Sequence, residues 1–247
     1  MLKNKTAFIT GCNRGIGKEI CIKFLKNNAN LICAVRKYEK NFEDYLLTKK
    51  NNKSQNISFV EFDLSNSNEI EKSIRDNDIN KKQIDILVNN AGIATGSIFE
   101  MTKIDDIKNI FEINFFSQLK LIQLLLRPLK KSESASIVNI GSISGLLSER
   151  GTLAYGSSKA AFMFASKILA NELSSYNIRV NSIAPNIIDT DMANQMSSES
   201  KEKLLKSSYQ KRIGSPEEVA DLVFFLASDK SKYINGVNIK IDGGFSA

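Results

Sequence analysis

Tyr155 and Lys159 stand four residues apart in Tyr155-Gly156-Ser157-Ser158-Lys159, which begins a helical stretch running through Leu173. That spacing places both side chains on one helix face. An ammonium near a phenol favours the phenolate and lowers its pKa toward neutrality, as a proton-transferring group requires. The chain has no histidine. A Ser-His-Asp triad, a His-Glu-x-x-His zinc site and any imidazole acid or base are therefore excluded, and the tyrosine–lysine pair is the best acid/base candidate. Taken alone the pair has a plainer reading, because two such residues fall four apart by chance in many helices.

A second pattern lies near the amino terminus. The run Thr10-Gly11-Cys12-Asn13-Arg14-Gly15-Ile16-Gly17 follows an apolar strand-length segment and leads into a segment of helical spacing. Glycines there allow a tight turn, close approach of backbone to a pyrophosphate and close packing of helix on strand, while the helix N-terminus favours negative charge. The spacing Gly-x3-Gly-x-Gly differs from the Gly-x-Gly-x-x-Gly fingerprint, and an ordinary strand-to-helix turn is the plainer reading. A dinucleotide site that prefers NAD carries an acid at the end of the second strand, for the ribose 2′-hydroxyl. This chain has Val35-Arg36-Lys37 there. With Arg14, these cations suit a 2′-phosphate, so NADP(H) is expected in preference to NAD(H). Without the glycine loop, Arg36 and Lys37 would read as solvated loop charges.

The elements that must hold these groups are visible as alternation. Apolar runs of strand length recur at Thr6–Thr10, Leu31–Val35, Ile57–Phe62, Ile84–Val88, Ser136–Ile140 and Arg179–Ala184. Most are continuously apolar, the pattern of strands covered on both faces by helices. Ile16, Ile20, Phe24 and Leu25 have helical spacing after the first run. Ser215-Pro216-Glu217-Glu218 combines an N-cap serine, a first-turn proline and an acid three residues after the cap, and predicts a helix to Ala227. Val237, Ile239 and Ile241 alternate with polar residues before Gly243-Gly244, as a last strand would. No linker divides the chain and no solenoid repeat is visible. Residues 1–247 are expected to form one α/β domain, a doubly wound parallel sheet of the Rossmann kind with helices on both faces.

Composition narrows the function classes. With 42% hydrophobic and 25% charged residues in 247, disorder and fibre are excluded. No run approaches the ~18 apolar residues of a membrane helix, and the amino terminus lacks a leader-like pattern, so a cytoplasmic protein without membrane attachment is expected. The net charge of +7 comes from lysines scattered among acids, which reads as a solvated surface rather than a nucleic-acid site. Cys12, Cys21 and Cys33 show no Cys-x-x-Cys spacing, and neither a disulfide framework nor a metal site is expected from them.

Four motifs in order and spacing make the chain resemble the short-chain dehydrogenase/reductase family over essentially its whole length. These are the loop Thr10 to Gly17, Asn89-Asn90-Ala91-Gly92, Ser142 thirteen residues before Tyr155, and Tyr155 to Lys159; Asn114 in Glu112-Ile113-Asn114-Phe115 matches the fourth catalytic member. The resemblance implies that Tyr155 exchanges a proton with the substrate oxygen while hydride passes to or from the nicotinamide. Ser142 would hydrogen-bond that oxygen, with Ser144 the near alternative. Lys159 would bind the nicotinamide ribose and tune the phenol, and Asn114 would hold a water in a proton relay. It further implies cofactor contacts from Gly11, Asn13, Arg14, Gly15, Ile16 and Gly17, with Arg36 on the 2′-phosphate. Asp63 and Leu64 would lie at the adenine, Asn90, Ala91 and Gly92 at the ribose, and Pro185, Ile188 and Thr190 at the nicotinamide and phosphates. Where the family has Pro-Gly, this chain has Pro185-Asn186, and Asn tolerates the positive φ that would preserve the turn.

Within the family the resemblance is to 3-oxoacyl-acyl-carrier-protein reductases, carried by length, by Tyr233-Ile234-Asn235-Gly236 to Gly244 and by Arg212-Ile213-Gly214-Ser215-Pro216. Such enzymes dock an acidic carrier protein with two arginines, whose positions here hold Glu133 and Tyr176; Lys130 and Lys131 are nearby cations that can compensate. The segment at about 190–212, with Met192, Met196, Leu204, Leu205 and Tyr209, corresponds to a substrate-covering region, or equally to two short amphipathic helices. The resemblance also implies a homotetramer paired through about Lys103 to Leu129 and Tyr155 to Ser175. Reduction of a 3-oxoacyl thioester is the leading expectation. The alternatives are a reductase of another ketone or sugar intermediate, and a non-catalytic dinucleotide-binding sensor on the same fold.

Overall fold

The computed structural model describes residues 2–194, 196 and 198–245. Its apolar runs form strands β1 (Thr6–Thr10), β2 (Asn30–Val35), β3 (Ile57–Glu61), β4 (Ile86–Asn89), β5 (Ala135–Ile140), β6 (Ile178–Pro185) and β7 (Asn238–Ile241). All pair in parallel, in the order β3-β2-β1-β4-β5-β6-β7. All six residues of β5 are buried, which is why that run shows no alternation. The winding reverses between β1 and β4, and a doubly wound sheet opens its ligand crevice at the carboxyl ends of the strands flanking such a point.

The helices are α1 (Gly15–Lys26), α2 (Lys40–Leu47), α3 (Ser67–Asp76), α4 (Ile104–Phe111), α5 (Ser117–Leu129), α6 (Leu153–Glu172), α7 (Asp191–Asn194), α8 (Ser198–Lys206) and α9 (Pro216–Ala227). One core cluster joins a sheet face to Ile20, Phe24 and Leu25 of α1 and Val219, Val223 and Leu226 of α9. On the other face Ile70 and Ile74 of α3, Leu121 and Leu125 of α5 and Phe162 of α6 do the same. The start of α9 carries the expected reciprocal cap: Ser215 Oγ accepts from the Glu218 N–H at 3.3 Å, and the Ser215 N–H donates to the Glu218 carboxylate at 2.8 Å. Among the described residues no helix is long and apolar enough to cross a membrane.

Three local readings are corrected. The fourth strand begins at Ile86 rather than Ile84, because the buried Asp85 carboxylate accepts hydrogen bonds from the Thr6 N–H at 2.9 Å and the Ser132 hydroxyl at 2.6 Å, closing the sheet end. The helical run from about 103 to 129 is interrupted by a π-helical turn, Glu112–Phe116, with Asn114 buried inside it. Asn186 does not take a positive φ. Its N–H donates to Ile241 O at 3.1 Å, so pairing toward β7 continues past Pro185 in place of the expected left-handed turn.

The segment at about 190–212 folds as α7, α8 and an irregular stretch, with positions 195 and 197 outside the described residues. Leu204 is buried with Ile187 and Ala193, and Met196 and Leu205 pack against them. Met192 and Tyr209 face outward. Part of the apolar content is thus the inner face of short helices.

Candidate active site

The glycine loop leaves β1 at the switch point. Gly11 and Gly15 have φ of 64° and 51°, a region that side chains disfavour. A Cβ on Gly17 would lie 2.1 Å from Gly11 O, so the first turn of α1 rests directly on the loop. Gly17→Ala is expected to cost roughly 1–3 kcal/mol of folding stability through this overlap, read as a lowered urea midpoint; an unchanged midpoint would contradict the packing. Thr10 and Asn90 pin the loop. Thr10 Oγ1 accepts from the N–H groups of Asn90 and Ala91 at 2.9 and 3.0 Å, and Asn90 Nδ2 donates to the carbonyls of Thr10 and Gly11, both at 3.0 Å.

No side chain caps the N-terminus of α1. Its first N–H groups are available to an anion, beside the exposed Asn13 and Arg14 and the half-buried Ile16. Arg14 reaches Asp191 at 3.6 Å, and a Cβ on Gly15 would sit 3.1 Å from the Thr190 methyl, so the end of the β6 connection closes over the loop. Ile188 is buried there and bridges to Gly214, while Pro185 ends β6. Arg36 lies 4.0 Å from Asp63. The Asp63 carboxyl is held below the usual carboxylate range, first by the Ser65 backbone N–H, then by the Ser65 hydroxyl and Arg36. The Leu64 carbonyl accepts from the Ser117 hydroxyl and is fixed by α5. A helix N-terminus without a side-chain cap and a turn whose glycines pack closely against it fit the pyrophosphate of a nicotinamide dinucleotide.

The four residues expected to act in proton transfer converge beyond β4 and β5. A Cβ on Gly92 would be 3.0 Å from Asn114 Oδ1 and 3.4 Å from Lys159 Nζ, so Gly92 separates two of the four expected catalytic side chains. Asn114 Oδ1 accepts from the Ile93 N–H at 2.9 Å, and its Nδ2 donates to Ile93 O at 2.8 Å and Ser158 Oγ at 3.2 Å. The π turn is what brings this side chain inward, a use such turns often have at functional sites. Lys159 is buried and donates to Ile140 O at 2.7 Å. Burial pushes its pKa down to about 8.

The phenol departs from the expectation drawn from spacing. Burial raises the Tyr155 pKa, and only the side-chain hydrogen bond with Ser142 works the other way. Lys159 Nζ is 6.0 Å from the ring centroid and is turned to the Ile140 carbonyl, so desolvation outweighs the ammonium's influence. The same hydrogen bond places Ser142 at the phenol, whereas Ser144 donates its N–H to Ser142 Oγ at 3.2 Å. A cleft of about 770 Å³ adjoins this end of α6, lined by Phe99, Ser144, Leu147, Arg150, Leu153 and Gly156.

Sequence reasoning missed the supporting polar groups. Asn89 donates to Asn139 Oδ1 at 2.8 Å and Asn139 to Ser166 Oγ at 2.7 Å, a buried chain tying β4 to β5 and α6. Gln118 Nε2 donates to Ala91 O at 3.0 Å. Polar residues inside otherwise apolar runs were the available signal.

Residues 11–246 match the family model described as enoyl-(acyl carrier protein) reductase. The chain belongs to the short-chain dehydrogenase/reductase family, oxidoreductases that act on carbonyl and hydroxyl groups with a nicotinamide dinucleotide. It is 34% identical over 247 residues to the 3-oxoacyl-(acyl-carrier-protein) reductase FabG of Chlamydia trachomatis, covering 100% of this chain and 99% of that one. It is 36% identical over 248 residues to the protein of that name from Chlamydia muridarum, covering 100% and 99%. The solved Pseudomonas aeruginosa RhlG/NADP active-site complex superposes with a TM-score of 0.89 at 31% identity, covering 99% of this chain and 97% of that one.

Proposed function

We propose that the protein is an NADPH-dependent reductase of 3-oxoacyl thioesters carried on an acyl carrier protein. The observation that carries this reading is the convergence of Asn114, Ser142, Tyr155 and Lys159 beside the glycine loop, in a chain similar along its whole length to reductases of that name. When bound, the reduced nicotinamide supplies the hydride. Tyr155, its pKa raised by burial, keeps its proton at neutral pH and delivers it to the substrate oxygen. Ser142 shares a hydrogen bond with that phenol and is placed to steady the same oxygen as charge develops on it. Lys159 holds a positive charge behind the phenol below pH about 8, and Asn114 keeps the Gly92–Ile93 turn in place beside it. Arg14 and Arg36 are the groups for a 2′-phosphate, each exposed and able to exchange an acid partner for it.

One observation favours a second reading, a ketone or sugar intermediate free of any carrier. Lys130 Nζ stacks 3.3 Å from the centroid of the Tyr176 ring, and Lys131 Nζ donates to Lys81 O at 2.5 Å, so both compensating cations are engaged within the chain. A substrate panel separates the readings. Acetoacetyl thioester on carrier protein is expected to exceed a free acetoacetyl ester by about tenfold or more in kcat/KM, the worth of one good charged contact. NADPH is expected to exceed NADH by a similar factor, with the ratio collapsing in Arg36→Asp. No carrier advantage would sink the first reading, and an unchanged cofactor ratio in Arg36→Asp would sink the assignment of Arg36. Phe116, Phe164 and Ile168 are exposed on the α5 and α6 side, and this supports a homotetramer paired through these helices, for which light scattering is the measurement.

A further inference from the structure

Three cysteines, spaced nine and twelve residues apart, meet in the core where the glycine loop, α1 and β2 pack together. Cys12 comes from the loop, Cys21 from α1 and Cys33 from β2, and all three are fully buried. Their sulfurs lie within 4.8 Å of one another, and none is in a disulfide. A buried cysteine is ordinarily a small apolar group. Here, however, every cysteine of the chain is drawn from three separate elements to one point. We propose that Cys12, Cys21 and Cys33 form a three-sulfur binding site for a soft, thiophilic ion.

Distance and charge define the ligand. An ion with sulfur bonds of about 2.3 Å, the zinc–thiolate length, holds three sulfurs roughly 3.4 to 4 Å apart in pyramidal or planar geometry, and these three lie within 4.8 Å of one another. The three belong to the apolar core cluster that also holds Ile9, Ile20, Phe24 and Val35, and the Cys12 thiol donates to Ala34 O at 3.5 Å. Three thiolates around a monovalent or divalent ion would leave net negative charge in that apolar setting, which is costly. A trivalent ion leaves none. Trivalent arsenic, supplied as arsenite, is the matched probe. Three arsenic–oxygen bonds break, three arsenic–sulfur bonds form, and the three thiol protons leave with the hydroxides as three waters; no group is oxidised or reduced. Soft sulfur ligands exclude hard oxygen-seeking ions such as magnesium from the same place.

The test is native mass spectrometry of the reduced, folded full chain titrated with sodium arsenite. The expected product gains one arsenic and loses three hydrogens per chain, a signature that two sulfurs cannot give. The thermal midpoint rises on binding, because the folded state holds the sulfurs together. Cys12→Ala, Cys21→Ala and Cys33→Ala each weaken binding roughly a hundredfold, with magnesium inert throughout. A wild-type chain that gains no arsenic, that loses fewer than three hydrogens, or whose midpoint falls overturns the site. So does any alanine variant that binds as tightly as wild type. If a variant fails to fold, the wild-type mass and midpoint decide alone.

Discussion

Tyr155→Phe is expected to lower turnover by roughly a thousandfold, within the range a positioned proton donor contributes, while NADPH binding changes by less than about twofold. The substitution removes one oxygen and keeps the ring, so the packing of α6 against the loop that carries Ser142 survives. The loss belongs in kcat, because proton delivery is made only as the substrate oxygen becomes negative. Single-turnover kinetics at saturating cofactor measures it, and a variant retaining a tenth of wild-type turnover would refute the assignment. The raised phenol pKa adds a direction: the protonated form needed for reduction is fully populated at neutral pH, whereas alcohol oxidation, which needs the phenolate, gains as pH rises.

Lys159→Met should separate activity from stability. Turnover falls roughly a hundredfold or more with loss of the ammonium behind the phenol. Stability moves with pH in a sense fixed by linkage. Burial lowers the Lys159 pKa from 10.5 to about 8 in the folded chain. Below pH 8 both folded and unfolded chains carry the proton, and the burial penalty is present in full. Between about 8 and 10.5 the unfolded chain binds a proton that the folded chain has released, so wild-type stability rises with pH across that window. Relative to Lys159→Met, wild type is therefore expected to gain on the order of 3 kcal/mol from pH 7 to 10.5. Paired urea titrations at the two pH values read the difference. A constant gap would show that burial does not lower the pKa of this amine in the folded protein. The rate of reduction by wild type should also decline as pH passes about 8, a limb the methionine variant lacks.

Local features were legible in the amino-acid order. β1 runs from Thr6 to Thr10 as expected, because a strand covered on both faces leaves an uninterrupted apolar run. The cap of α9 was legible for a similar reason, since Ser215 and Glu218 meet within one turn. Tyr155 and Lys159 share a helix, so their spacing was readable, but the environment that tunes them comes from Ile140 and Ser142 on a different strand and loop. The direction of the phenol's shift is therefore set by groups outside the helix and is not readable from the four-residue spacing. Asp85 shortened a strand through partners at Thr6 and Ser132, which no local pattern reveals. Cys12, Cys21 and Cys33 match no spaced motif, because the packing of α1 on the β1-β2 pair, rather than a local turn, brings their sulfurs together.

The π-helical turn at Glu112–Phe116 carries one residue more than an ordinary turn, which throws α4 and α5 out of phase by about 100°. The rod thus changes heading midway, turning Ile104 outward near its start and Leu121 and Leu125 inward near its end. Excising a single residue there would restore a continuous spiral and swing the whole inward stripe of α5 toward water, dragging Asn114 off its seat. The seat of Asn114 and the inward face of α5 therefore depend together on one surplus residue at this joint.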